Sequence, residues 1–338
     1  MRLGILAGGN WIVDHVKTID AWPPQDSLAT ILRQSSGNGG APYNVLKDLA
    51  RLGAPFPLSA IGRVGEDDNG RAILADCRAH GIDTSRLRST SAAPTSYTDV
   101  MTAQATGRRT FFHQRGANAL LAPEDFDFKT ISARLFHLGY LLLLDRLDAR
   151  GADGRPGAAE VLERARAAGL RTSVDCVSEN SDRFPTVAAP VLPQVDYFFA
   201  NDFEAEKLTG RKLRAGDKID PTAVRAAARR LIESGVRSWA FIHFPEAVYA
   251  QPAAGEGIWQ PSLRMPASEI RSAVGAGDAL AAGVLYGVHE NWPMAEGLRL
   301  GVCAAAASLR HATCSEGIEP VGGCLALADR LGYRQSGD

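Results

Sequence analysis

Short apolar runs alternate along this chain with segments whose apolar residues recur every three or four positions, the pattern of a parallel sheet flanked by helices. Runs at 3–8, 57–62, 135–144, 171–176, 195–200 and 238–244 predict strands. Between them, Val45, Leu46, Leu49 and Leu52 keep helical spacing up to Gly53, and Ile73, Leu74 and Cys77 do so up to Gly81. Asp220 as a cap, Pro221 in the first turn and Gly235 past the end bound another helix. Further helices are predicted at 156–168, 277–289, 294–310 and 324–331. Two stretches, 11–36 and 93–116, break the alternation: they are rich in Thr, Val, Ile and aromatics, with turn signals at Pro23-Pro24 and Thr106-Gly107. Each predicts a β-hairpin, and the two together a small sheet at the edge of the main one, placed to act as a lid. No repeat or Pro/Gly linker divides residues 1–338, which read as one domain, and the tail RQSGD is expected to fray.

Composition narrows the function. Lys and Arg number 37 against 38 Asp and Glu, a net charge of −1, so no broad positive field is available to hold nucleic acid or an anionic membrane. Five scattered cysteines without a CxxC pair argue against a disulfide framework or a zinc site. The opening MRLGILAGGNWIVD reads as a strand rather than a signal peptide, and the longest apolar stretch, 138–144, is far short of the roughly 20 residues of a membrane helix. A cytoplasmic protein acting on a small molecule is the expectation.

The chemistry concentrates in SAVGAGDALAAG, residues 272–283. Small residues at Val274, Gly275, Ala276 and Gly277 leave backbone N–H groups free to converge, and the helix starting there adds its positive end, so the turn suits an anion. A carboxylate at Asp278 would spoil a plain phosphate cradle. It makes sense as a base that takes the proton of a hydroxyl attacking phosphorus. A tight turn followed by an ordinary first-turn acid is the plainer alternative.

VGAGDALAAG resembles the C-terminal signature of the ribokinase (PfkB) family of carbohydrate and nucleoside kinases. Three further stretches resemble the family's motifs in the same order: SGNGGAPYN at 36–44, AIGRVGEDDNGRAILADCRAHGID at 60–83 and NDFEAEKLTG at 201–210. The resemblance implies a three-layer α/β/α sandwich with a mostly parallel sheet and a β-sheet lid, and an ATP- and Mg²⁺-dependent transfer of phosphate to an alcohol. It places the catalytic base at Asp278 and the anion hole at Gly275, Ala276 and Gly277, with Val274 beside the nucleotide. Asn201 and Glu204 match the pair that organises Mg²⁺ through water, although they read equally as a capping Asn and its capping-box Glu. Asp14, Gly39, Gly40 and Asn44 match the acceptor site, where a carboxylate and an amide suit a polyol. Asp145 stands where such enzymes place another substrate-facing group, or is a simple strand-end acid. Arg108 and Arg109 either reach a phosphate when the lid closes or are solvated. His113, His137 and His243 read as structural.

Departures from the family pattern carry information. Ser272 and Ala273 stand where the family often has Asp-Thr, which puts a potassium requirement in doubt. Phe244-Pro245 takes the place of a glycine-containing loop beside the nucleotide phosphates, and proline offers no N–H. Asp175 fits the family's strand-end acid. The acceptor is expected to be a sugar, with a nucleoside as the alternative and a noncatalytic sugar or nucleotide sensor as the reading of another class. A dinucleotide dehydrogenase fits poorly, since AGGNWIVD lacks G-x-G-x-x-G. Trp11, Ile12, Val13 and Val16 are expected on an outer lid face, where they would pair two copies as a homodimer.

Overall fold

The computed structural model describes residues 2–106 and 108–335; Gly107 of the expected hairpin turn and Ser336–Asp338 of the tail lie outside the described residues. Nine strands form the main sheet, in the spatial order Ile258–Pro261, Ala247–Pro252, Trp239–Phe244, Tyr197–Asn201, Arg171–Cys176, Leu135–Leu141, Ile5–Gly9, Leu58–Gly65 and Ile82–Thr90. From Trp239–Phe244 onward every neighbouring pair is parallel. The first two strands close the other edge in antiparallel pairing. All six predicted strands are present; Ile82–Thr90, Ala247–Pro252 and Ile258–Pro261 are additional.

Alternation along the strands sends side chains to two cores. Ile5 and Ala7 join one and Leu6 the other, and Tyr197 and Phe199 oppose Phe198 and Ala200 in the same way. Helices Ala41–Arg51, Ala276–His289, Met294–Leu309 and Val321–Leu331 cover the first core, while Gly157–Ala167 and Pro221–Glu233 cover the second. The result is the expected three layers. Helix Pro221–Glu233 has the ends its sequence predicts: Asp220 accepts from the Thr222 and Ala223 amides, and Gly235 follows with φ of 118°.

Both hairpins form. Ile12–Ile19 pairs with Ile31–Gly39, and Ser96–Ala103 with Arg109–Gln114. The two join through a parallel pairing of Ile12–Ile19 with Ser96–Ala103, which sets Asp14 opposite Thr98 and Thr98 opposite His113. One expectation is corrected here. Trp11, Ile12 and Val13 are buried, and Trp11 sits in the main core with its Nε1 donating to the Ile61 carbonyl at 3.0 Å. The chain enters the lid directly from Ile5–Gly9, so these first residues still lie against the main sheet. The apolar residues that the lid region does expose are Trp22, Leu28, Ile31, Leu32, Phe111 and Phe112, with Trp22 and Phe112 stacked at 6.2 Å.

From Ile5–Gly9 the chain builds the sheet first toward Leu58–Gly65 and Ile82–Thr90, then returns to the other side at Leu135–Leu141. Such a reversal opens a crevice beyond the carboxyl ends of the strands. The lid stands over that crevice.

Candidate active site

The crevice is a cleft of about 460 Å³, lined by strand ends, the turn 273–278 and the inner face of the lid. Asp278 belongs to the first turn of helix Ala276–His289 and is 5% exposed. Its Oδ2 accepts two hydrogen bonds, from Asn44 Nδ2 and from Tyr140 Oη, both at 2.7 Å. Burial, reinforced by the charge of Asp175, pushes its pKa up to about 7, against the pull of those two donors. A carboxylate poised there is half-ionised near neutrality and able to accept a proton.

Asn44 is itself oriented from behind. Its Oδ1 accepts from Asn38 Nδ2 at 2.7 Å, and the same Asn38 nitrogen donates to Ser315 Oγ at 2.7 Å. Reversing either amide would set oxygen against oxygen, so the Asn44 N–H is aimed at Asp278. Helix Ala41–Arg51 supplies Asn44 because Gly40, with φ of 85°, opens it at the cleft. Asp14 is 8% exposed, and burial raises its pKa to about 7. Gly39 packs on it so closely that a Cβ there would stand 2.4 Å from Asp14 Oδ1, a contact only glycine permits.

In the turn, the Val274 amide donates to Ser272 Oγ at 3.2 Å and the Ala276 amide to the Ala273 carbonyl at 3.5 Å. The Gly275 and Gly277 amides have no acceptor among the described residues, and both glycines line the cleft. Of the three amides expected to form an anion hole, that of Ala276 is therefore the one already engaged. The lid reaches this turn through Arg109, whose Nη1 approaches Ser272 Oγ at 3.4 Å, whereas Arg108 is exposed.

Asn201 and Glu204 form the capping pair that one of their two readings expects. Asn201 Oδ1 accepts the Glu204 amide at 2.9 Å and Glu204 Oε2 accepts the Asn201 amide at 3.0 Å, a reciprocal cap on helix Asp202–Thr209. Glu204 Oε1 accepts from Ser178 Oγ at 2.7 Å and Asn201 Nδ2 at 3.0 Å. Both side chains face the cleft. With every carboxylate oxygen already bonded, the pair suits a cation approached through its water. Burial raises the Glu204 pKa to about 8, a shift that a nearby cation would reverse.

Asp145 is not part of the cleft. The strand stops at Leu141, and Asp145 starts a short helix that carries its side chain outward, half-exposed, into an ion pair with Arg115 at 2.9 Å. Tyr140, which the sequence did not single out, and Asp175, the expected strand-end acid, take the inner positions. Tyr140 and Asp175 line the cleft from neighbouring strands, and burial holds the Asp175 carboxyl well above the usual range. His113 and His243 also face it, while His137 is fully buried as expected, hydrogen-bonded to Ser173 at 2.9 Å.

Four motifs in order, three of which line one cleft, agree with the family profile of the pfkB carbohydrate kinases, which matches residues 9–320. The chain belongs to the pfkB family of carbohydrate kinases. Among its relatives, the ATP-dependent ribose-1-phosphate kinase of Halopiger xanaduensis is 28% identical over 284 residues, covering 83% of each chain. The fold is ribokinase-like: Arabidopsis thaliana ribokinase complexed with ribose and ATP superposes with a TM-score of 0.75 at 18% identity, over 97% of this chain and 99% of that one. Burkholderia thailandensis nucleoside kinase in complex with inosine superposes with a TM-score of 0.71 at 17% identity, over 98% and 100%.

Proposed function

We propose that this pfkB-family kinase moves the γ-phosphoryl group of ATP to a hydroxymethyl group of a sugar by direct in-line transfer, with the whole chain as one domain under its lid. The observation that carries the reading is a single buried carboxylate, Asp278, at the same helix start as two open amides. Asp278 takes the acceptor's proton as the alcohol oxygen bonds to phosphorus, and the bond to the leaving oxygen of ADP breaks. The Gly275 and Gly277 amides, with the helix dipole behind them and Val274 alongside, offset charge on the group in flight. Asp14, Asn44, Gly39 and Gly40 form the acceptor wall, where one acid and one amide meet neighbouring hydroxyls. Asp145 has no part in it.

Magnesium fits at Asn201 and Glu204 through its own water, and when bound it neutralises phosphate charge. Ser272, whose hydroxyl already serves Val274 and Arg109, stands where an acid would hold a monovalent ion, so potassium is left outside the proposed set. Five buried, unpaired cysteines suit a cytoplasmic setting, and no helix among the described residues is long and apolar enough to cross a membrane.

A nucleoside acceptor is the second reading, favoured by Phe111 on the lid and Phe199 on the cleft floor, flat apolar surfaces for a base. Measuring ADP formation with Mg²⁺ across sugars and nucleosides separates the two. Turnover is expected with a sugar. No ADP formation with any acceptor would overturn transfer and leave the noncatalytic sensor.

The exposed lid residues Trp22, Ile31, Leu32, Phe111 and Phe112 support a homodimer through the lid. Sedimentation at micromolar concentration is expected at twice the monomer mass, and W22S/F112S at monomer mass. Monomeric sedimentation of the parent removes the dimer.

A further inference from the structure

Strand Trp239–Phe244 carries, near its carboxyl end, a histidine whose side chain has no hydrogen-bond partner among the described residues. The parallel register sets His243 directly beside Asn201, and both line the cleft. The ring packs against the first turn of helix Ala276–His289: a Cβ on Gly277 would stand 3.0 Å from Cε1 and 3.3 Å from Nε2. Among the described residues neither ring nitrogen has a hydrogen-bond partner, and neither is sealed from the cleft. A half-buried ring with both nitrogens open to the cleft can pair with a ligand there. Neutral or protonated, an imidazole keeps at least one ring N–H to donate.

The hairpin that follows cannot supply that donor. Phe244 pairs with Ala247 across a two-residue tip, Pro245 has no N–H, and Glu246 is a carboxylate held by Arg214 at 3.0 and 3.1 Å. Arg214 also holds Asp202 at 2.7 Å, which ties the tip to the start of helix Asp202–Thr209 and away from the cleft. At the mouth of the turn 275–277, then, the side-chain donor within reach on this strand is the imidazole.

We infer that His243 donates a hydrogen bond to the terminal phosphates of the donor nucleotide, in the position where the hairpin backbone, ending in Pro245, offers none. This rests on the kinase reading above. The ligand chemistry is a nucleoside di- or triphosphate, since the ring shares its location with the open Gly277 amide and with Asn201 rather than with the acceptor wall at Asp14.

Isothermal titration of the full chain at pH 7.5 with MgATP, MgADP and AMP tests it. H243L is expected to bind ATP and ADP about 10-fold or more weakly, as for loss of a hydrogen bond to a charged group, with AMP affinity unchanged. H243Q, whose side-chain amide also donates, is expected to recover most of the loss. H243A gives the same comparison if leucine prevents folding, and melting curves report folding for each variant. ATP and ADP affinities equal to the parent's in H243L and H243A, or an equal loss for AMP, would overturn the inference while the kinase reading stands. A parent that binds none of the three nucleotides would overturn the kinase reading, and this inference with it.

Discussion

Replacing Asp278 by Asn is expected to lower kcat by about 10²- to 10⁴-fold, the usual worth of a general base. The amide keeps the shape of the carboxyl, and its oxygen can still accept from Asn44 Nδ2 and Tyr140 Oη, so the cleft is kept while its base is lost. The pH profile gives a second, independent signature. With the pKa of Asp278 raised to about 7, the base is protonated and idle below that value, so parental kcat rises as pH climbs through about 7 and levels off above it. D278N is expected to lose that rise together with the rate.

Stability moves in the opposite sense. An acid whose folded pKa is raised binds a proton more tightly in the native state, so it costs nothing below its unfolded pKa. The cost grows as pH rises and is complete once the folded pKa is passed. D278N removes this cost and is expected to melt higher than the parent above pH 7, the trade of stability for function that active sites show. A variant that transfers phosphate at the parental rate to every acceptor would remove Asp278 from the chemistry.

Why Asp278 was legible in the sequence and Tyr140 was not is a matter of where the information sits. Asp278, Asn44 and Asp14 lie on or beside glycine-rich turns, and glycine marks places where backbone must approach something closely. Tyr140 and His243, like Asp175, which only the family resemblance picked out, sit inside apolar runs, where period and composition say only that a strand passes. They enter the cleft because strand order brings the ends of Leu135–Leu141, Arg171–Cys176 and Trp239–Phe244 to one crevice. Asp145 failed for a related reason: the run 135–144 looks continuous, but the strand ends at Leu141 and the chain turns outward before the acid.

The same contrast separates the elements. Helix Pro221–Glu233 was readable to within a residue or two because a capping acid, a proline and a glycine punctuate it. Ile82–Thr90 was not, since DTSRLRST is polar enough to pass for a loop and pairs only because it lies at the sheet edge with one face in water. Ala247–Pro252 is buried throughout, yet its Ala, Gln and Pro carry little strand preference, and pairing with Trp239–Phe244 overrides it. The lid hairpins were legible as hairpins. Their parallel junction, and with it the burial of Trp11, depends on contacts 80 residues apart in sequence.

Gly275→Ala is expected to lower kcat by about 10²- to 10³-fold, comparable to the loss of an oxyanion donor. Gly275 holds φ at 78°, a left-handed conformation that costs any other residue, and a Cβ there would fall 2.5 Å from Cys314 Cβ and 3.0 Å from Cys314 Cα. The second contact is with backbone, so the clash cannot be relieved by a rotamer change. Either the turn or the segment carrying Cys314 must move, and the Gly275 and Gly277 amides then cease to point at one place. Acceptor affinity should change less than the rate, because Asp14 and Asn44 keep their bonds to Thr98 and Asn38, although Cys314 Sγ also reaches Asp14 and Asn44 also donates to Asp278. The loss therefore belongs mainly in kcat, the mark of an interaction made in the transition state. Adding Cys314→Gly removes the contacts with the Cys314 side chain but neither the one with its Cα nor the cost of the left-handed backbone, so the double variant G275A/C314G is expected to recover part of the rate. Parental kcat in G275A would show that these amides take no share of the charge, and the reading of the turn as an anion hole would fall even with Asp278 still acting as the base.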